Sequence, residues 1–404
     1  MPSIPLAAYS QPHQFEPLLP QKQLGDLIEG TRTVVEKAYR LQHAVAPSTR
    51  RALQNLVRGM NSYYSNRIEG QGTHPANIER ALSADFSTTP SVAQKQRIAL
   101  AHIEAEKELE ATLPGAGIEG FALRSSFLIS AHAALYRRLQ AADRVTQDGL
   151  VIEPGALRTQ DVSVGRHQAP IAASVSSFLA RMDEVYPRIK GLDGALFYIA
   201  AAHHRAAWVH PFRDGNGRAC RLQTHCAMLP LSAGLWSVNR GLARQRDTYY
   251  ALLDSADAAR QGDLDGRGNL SEKALAQWCA YFVALADDQV TFMGKLLGLE
   301  RLKDGIASLM LIRSESAQHS NYSRQATLAL HHVLLAGPTA RGEFMAMTGL
   351  TERTASRVLA QLIKDKLLVS EGPKSPVSFN FPLDALNFLL PNLYPEASTI
   401  NSEA

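Results

Sequence analysis

The chain has 404 residues, of which 45% are hydrophobic and 20% charged, an ordinary balance for a globular protein but too long for one compact core, so about two or three domains are expected. Lys and Arg number 42 against 38 Asp and Glu, and the resulting charge of +4 is too small over this length to imply nucleic acid binding on charge alone. Three cysteines (Cys220, Cys226 and Cys279) are too few and too odd in number for a disulfide framework, no apolar run reaches membrane-spanning length, and Met1-Pro2-Ser3-Ile4-Pro5 lacks the basic and apolar regions of a secretion signal, so the cytoplasm is the expected location with no membrane partner.

Residues 1–20 carry Pro2, Pro5, Pro12, Pro17 and Pro20, which predicts an extended, non-helical arm. From about 21 to 310 the texture is helical. Segments 21–43, 49–68, 90–111, 120–141, 171–186 and 191–207 repeat apolar residues at three- and four-residue spacing. Residues 148–168 differ, mixing Gly, Pro and β-branched residues, and are read as containing a short hairpin with Val162-Ser163-Val164 as one arm. Beyond 322 come a helix (324–335), a short helix (341–347), a turn at Gly349-Leu350, a longer helix (352–366), and two strand-like runs flanking Gly372-Pro373-Lys374. That is the order of a winged helix.

The chemistry concentrates at residues 210–221, His-Pro-Phe-Arg-Asp-Gly-Asn-Gly-Arg-Ala-Cys-Arg. Pro211 stops the helix that delivers His210, and Gly215 and Gly217 allow a tight turn that opens a new helix, whose free amides attract anions. Arg218 and Arg221, three apart on that helix, suit phosphate oxygens. Asp214 suits a magnesium ion, and His210 suits proton removal near neutral pH. Together these groups suit cleavage of a phosphoanhydride.

This stretch resembles the signature of Fic proteins, His-Pro-Phe-x-Asp-Gly-Asn-Gly-Arg-x-x-Arg, with all nine fixed positions filled. The resemblance implies a mainly α protein, a Fic helical core with a small β-hairpin flap, to which the C-terminal winged helix-turn-helix would be added. It implies transfer of AMP from ATP to a Ser, Thr or Tyr hydroxyl of a target protein, with Mg²⁺ as cofactor. His210 would take the proton of the target hydroxyl and Asp214 would bind Mg²⁺. Gly215, Asn216 and Gly217 would cradle phosphates, with the Asn216 side chain assisting, and Arg218 and Arg221 would hold the β- and γ-phosphates. Phe212 would anchor the loop. The stretch 155–168 falls at the family's target-clamping flap, and Tyr249 or Tyr250 would face the nucleotide base.

Ser65-Asn66-Arg67-Ile68-Glu69-Gly70 resembles the family's inhibitory motif. Glu69 would pair with Arg221 through two parallel hydrogen bonds and keep it from the γ-phosphate, Ser65 would orient the carboxylate or touch the nucleotide, and Gly70 would end the helix. The domains expected are 1–110 with the inhibitory helix, 111–310 as the Fic catalytic core, and 322–390 as the winged helix. Removal of AMP, use of another nucleotide, and a DNA-binding regulator with a nucleotide-sensing core stay open as alternatives. Residues 322–390 hold seven Lys and Arg against five Asp and Glu, a weak footprint for DNA, although Thr351, Arg353, Thr354, Arg357 and Gln361 would be presented by its recognition helix. A homodimer is compatible with the sequence, but no segment identifies its interface.

Other clusters point elsewhere. His203 and His204 lack carboxylate or cysteine partners at zinc-ligand spacing, and Cys220 and Cys226 read as packing residues. Residues 263–269 resemble a calcium loop without its closing glutamate, and a turn capped by Ser271 is expected instead.

Overall fold

The computed structural model describes every residue except 1–8, 23, 115–119, 147, 166, 190, 318, 320 and 396–404, together with the side chain of Ser48. The expectations for Met1-Pro2-Ser3-Ile4-Pro5 lie outside the described residues. The rest of the proline-rich arm is not wholly extended. Pro12–Phe15 forms a 3-10 turn because Pro12 takes its first position, where no amide donor is needed, and Gln14 Oε1 accepts from the Ser10 and Gln11 amides.

Among the described residues the regular structure is helical apart from two short strand pairs and three isolated bridges. Helices α1 (Leu24–Ala44), α2 (Pro47–Ile68), α3 (Pro75–Leu82), α4 (Pro90–Ala111) and α5 (Ser125–Tyr136) come first. Pro47, Pro75 and Pro90 each start their helix. The expected helix 120–141 is shorter than its pattern: Phe121–Leu123 is a 3-10 turn, and Arg124 is extended before α5 begins. A hairpin of β1 (Ser163–Val164) and β2 (His167–Gln168) follows, then α6 (Val175–Asp183), α7 (Ala195–Val209), α8 (Asn216–Ser232), α9 (Asn239–Arg244), α10 (Arg246–Ala256), α11 (Glu272–Leu296) and α12 (Leu299–Glu315). Ser271 caps α11, its hydroxyl accepting from the Ala274 amide. Asp265 accepts from Ser271 and from the Gln261 and Lys273 amides, so the calcium-like loop is a capped turn.

The C-terminal part runs α13 (Thr327–Ala336), α14 (Arg341–Met347), α15 (Glu352–Lys364), then the antiparallel pair β3 (Leu368–Val369) and β4 (Ser378–Phe379), and last α16 (Leu386–Leu389). A bridge between Thr339 and Val377 ties the pair back to the start of α14. On α15, Ala355, Val358, Leu359 and Leu362 are buried at helical spacing, which turns Thr351, Arg353, Thr354 and Arg357 to solvent.

α7, α8 and α11 pack together at the centre, α1 covers α11, and α5 and α4 flank α8. Helix α7 is buried on nearly every side: it buries Leu196, Phe197, Ile199, Trp208 and Val209, together with His203, His204 and Arg205, which find polar partners inside. Helix α2 lies along α4 and α9, and this places its C-terminus against the start of α8. Among the described residues no helix is long and apolar enough to cross a membrane.

Candidate functional site

Helix α7 ends at His210, which caps it in a left-handed conformation (φ 49°) while its amide still donates to Ala206. The following proline forbids a further turn. A non-glycine residue there carries strain that its surroundings must hold. Arg158 holds it: its Nε donates to the His210 carbonyl at 2.8 Å, its amide donates to the Pro211 carbonyl at 2.9 Å, and its other nitrogens reach the carbonyls of Gln160, Pro170 and Val209. Phe212 is fully buried and stacks on His132 with ring centroids 4.0 Å apart.

The loop turns at Gly215 (φ 78°), where a Cβ would strike the Tyr136 ring. The first helical hydrogen bond of α8 runs from the Ala219 amide to the Gly215 carbonyl, which leaves the amides of Asn216, Gly217 and Arg218 without a helical acceptor. Amides so placed at a helix start are free to meet an anion. The Asn216 side chain is placed otherwise than expected. Its Oδ1 accepts from the Phe212 amide at 2.9 Å and its Nδ2 donates to the Phe212 carbonyl at 2.8 Å, so it closes the loop and keeps one N–H of Nδ2 uncommitted among the described residues.

The two arginines look in different directions. Arg218 lies against the Tyr136 ring, donates to the Tyr136 hydroxyl at 2.8 Å and to Gln71 Oε1 at 2.9 Å, and sits 3.7 Å from Asp214. Arg221 is buried and faces the end of α2. Its Nη2 meets Glu69 Oε1 at 2.5 Å, its Nε donates to Ser65 Oγ at 2.9 Å, and Nη2 also reaches the Ser65 carbonyl at 3.2 Å. The Glu69–Arg221 contact is a single charge-assisted bond, not the two parallel bonds expected, because Ser65 occupies another edge of the guanidinium. Ser65 holds the arginine, not the carboxylate. Glu69 caps α2, Gly70 turns the chain away at φ 72°, and the Glu69 carboxylate lies so close to Gly217 that a Cβ there would strike Oε1. Burial pushes the Glu69 carboxyl up, but Arg221, Arg218 and Arg246 outweigh it and hold the group below the usual carboxylate range.

Burial, then the charges of Arg158 and His167, take the His210 imidazole down to about 4, so at neutral pH it is an unprotonated base. The Asp214 side chain is 51% exposed. Its Oδ2 accepts from the Tyr136 hydroxyl at 3.2 Å, while Oδ1 takes no hydrogen bond from the described residues. Magnesium takes one or two carboxylates and completes its shell with phosphate oxygens and water, and a half-exposed aspartate with one committed oxygen fits that part.

The hairpin lies beside this loop. Ser163 pairs with Gln168 and Val164 with His167, Val162 precedes the strand with its carbonyl accepting from Ala169, and Val164 is 44% exposed. His167 bonds the Trp208 carbonyl at 2.7 Å, so the strand pair is fixed to the end of α7 through the residue just after its turn. Tyr249 is 2% exposed and its hydroxyl meets His203 Nε2 at 2.9 Å, which makes it core. Tyr250, 41% exposed beneath Arg246, alone of the two remains open to a ligand. His203 and His204 are buried packing residues, as are Cys220 and Cys226.

Sequence reasoning missed Arg158, His132, Tyr136 and Gln71. His132 accepts from the Gly155 amide at Nδ1 and, through Nε2, holds the Asp214 carbonyl at 3.1 Å. The i, i+4 spacing of His132 and Tyr136 on one face of α5 was a usable signal. Nothing local marked Arg158.

The loop from His210 to Gly215 joins two buried helices, α7 and α8, and sets an imidazole at its start and two arginines beyond its end. Residues 122–228 match the Fic/DOC family, so the chain carries a Fic domain there. The chain is 28% identical over 114 residues to proteins called protein adenylyltransferase Fic in Drosophila willistoni and in Culex quinquefasciatus, a match that covers 28% of this chain and 22% of theirs. The matched stretch thus spans about a fifth of those curated relatives. In fold, the chain is similar to the crystal structure of a Fic family protein from Desulfovibrio desulfuricans, with a TM-score of 0.51 over 90% of this chain and 98% of that one at 18% identity.

Proposed function

We propose that this protein is an autoinhibited protein adenylyltransferase that moves AMP from ATP to a hydroxyl of a target protein. The observation that carries the reading is the engagement of Arg221 by Glu69 and Ser65 at the mouth of the anion nest. An arginine so held cannot also grip a γ-phosphate.

In the released state His210 takes the proton of the target hydroxyl, the oxygen attacks the α-phosphorus, and the bond from that phosphorus to the bridging oxygen breaks. Pyrophosphate leaves with its charge held by the amides of residues 216–218 and by Arg218 and Arg221. Asp214 would hold Mg²⁺, which when bound neutralises phosphate charge. The strand edge at Val162, Ser163 and Val164 would align the target segment by backbone pairing. On this reading residues 1–110 carry the brake and 111–310 the transferase.

The test incubates wild type, Glu69→Gly and Glu69→Gly/His210→Ala with Mg²⁺ and α-labelled ATP. Strong protein labelling by Glu69→Gly alone is expected. Absence of label from all three, with and without lysate, would sink the proposal.

A second reading concerns residues 322–390, taken as a winged helix. The exposed row of Thr351, Arg353, Thr354 and Arg357 on α15 favours duplex DNA as a ligand. Mobility shift of the full chain on mixed-sequence duplex should weaken with salt and with Arg353→Ala/Arg357→Ala. No shift at low salt would leave this module without a nucleic-acid role.

A further inference from the structure

Helix α4 carries His102, Glu106 and Glu110 at successive i, i+4 positions, so all three line one stripe. That stripe faces His225 on α8. His225 Nε2 lies 3.1 Å from Glu110 Oε1 and 3.3 Å from Glu106 Oε1, and the ligand atoms of the trio all fall within 4.8 Å of one another. A tetrahedral zinc site with bonds of about 2.0–2.1 Å has ligand-to-ligand edges of about 3.3–3.4 Å, so both nitrogen-to-oxygen edges already stand near that spacing.

The surroundings point the same way. Glu106 and His102 are fully buried, yet Glu106 Oε2 and both ring nitrogens of His102 have no hydrogen-bond partner among the described residues, with Oε2 3.9 Å from His102 Nδ1. Buried polar atoms without partners are costly and ask for a ligand. Arg58 and Asn61 of α2 supply the outer contacts: Arg58 Nε donates to Glu110 Oε2 at 3.0 Å and leaves Oε1 toward His225, and Asn61 Nδ2 donates to Glu106 Oε1 at 2.9 Å. With the His225 imidazole neutral, as a metal ligand must be, one guanidinium faces two carboxylates and the buried cluster is short of positive charge.

The geometry points to a binding site for a zinc-class divalent cation formed by His225, Glu106 and Glu110, with its fourth position on the side of Glu106 Oε2 and His102. Imidazole with carboxylates selects this class over magnesium or calcium, which prefer oxygen alone. Metal at Nε2 puts the imidazole proton on Nδ1, 3.2 Å from the Asn61 amide. That proton would face Asn61 Nδ2, so metal binding requires the Asn61 side chain to shift from its present place between His225 and Glu106. The site is separate from Asp214 and stands whether or not the transferase reading holds.

The test uses the full chain after chelator treatment, without nucleotide. Zn²⁺ uptake should reach one equivalent that survives gel filtration, and Co²⁺ should give a tetrahedral visible spectrum without a thiolate charge-transfer band. Glu106→Gln and His225→Gln should each weaken uptake at least about tenfold, and Asp214→Asn should leave it unchanged. X-ray absorption of the wild-type zinc form needs no variant to fold and should show nitrogen and oxygen neighbours with imidazole scattering. No uptake by wild type, sulfur in the first shell, or uptake indifferent to His225→Gln would overturn the site and leave an imidazolium bridging two carboxylates.

Discussion

His210 carries two constraints at once, a left-handed backbone and an imidazole whose protonation burial opposes. Its group value near 4 lies below the ordinary value of 6.5, so the neutral form is favoured in the folded protein and the base is lost only as pH falls toward 4. Labelling by Glu69→Gly should therefore stay level from about pH 5.5 to 8, with no midpoint near 6.5. A midpoint there would show a solvated imidazole. The same depression means that unfolded chain binds the proton first, so His210 withdraws stability as pH drops from 6.5 toward 4. Glu69 is also depressed, so its bond to Arg221 is present above the usual carboxylate value and is lost only as pH falls through the lowered one. The ratio of Glu69→Gly to wild-type labelling should thus be constant between about pH 6 and 8, and a brake that opens in that window would need a different titrating group.

At the scale of elements, the site is made where three ends meet: the end of α7, the start of α8 and the end of α2. Each end is terminated by backbone chemistry that the sequence states openly, Pro211 after α7, Gly215 before α8 and Gly70 after α2. What aligns the first of them is Arg158, from the segment leading into β1. Arg158→Met keeps an unbranched side chain as far as the Nε position and removes the donors to His210, Gln160, Pro170 and Val209. In a Glu69→Gly background it should lower kcat by about 100-fold through misplacement of the base, with little change in nucleotide affinity. An equal loss of affinity would mean that the anion nest collapsed as well. Phe212→Ala removes a fully buried ring at the same junction and should cost about 3–5 kcal/mol of folding stability by denaturant titration.

For the whole molecule, α2 is held on both sides. Its inner face meets α4 and α8, and its outer face is gripped by the C-terminal segment. The Tyr64 hydroxyl donates to the Leu393 carbonyl at 2.9 Å, the Tyr63 ring meets Tyr394 at 5.3 Å, and Thr49 donates to the Leu334 carbonyl at 2.7 Å. The residue next to Ser65 is thereby tied to the far end of the chain. Tyr64→Phe deletes one buried hydrogen bond and should cost about 1 kcal/mol, with the Leu393 carbonyl left unpaired. If the grip steadies the brake, the same variant raises labelling above wild type while Glu69→Gly/Tyr64→Phe labels no more than Glu69→Gly. Additive gains would assign Tyr64 to stability alone.

Local chemistry explains what the sequence determined by itself. Helical periodicity marked most of the long helices, and the order of the C-terminal elements was visible because Gly337-Pro338, Gly349 and Gly372-Pro373 punctuate it. The motif from His210 to Arg221 was legible because proline, glycine and arginine act through the backbone and charge of one short stretch. Helix α3 went unread, having only two turns to show a period, whereas α14, no longer, was legible because Gly337-Pro338 and Gly349 bracket it. Tertiary structure alone decided how the side chains are spent: Asn216 closes its own loop, Ser65 binds Arg221 and not Glu69, Tyr249 turns into the core, and Arg158 clasps carbonyls from distant segments. It alone brought Glu106 and Glu110 to His225, more than a hundred residues along the chain. Those choices depend on which helix faces pack together, and no spacing within one segment encodes the partner that lies across the interface.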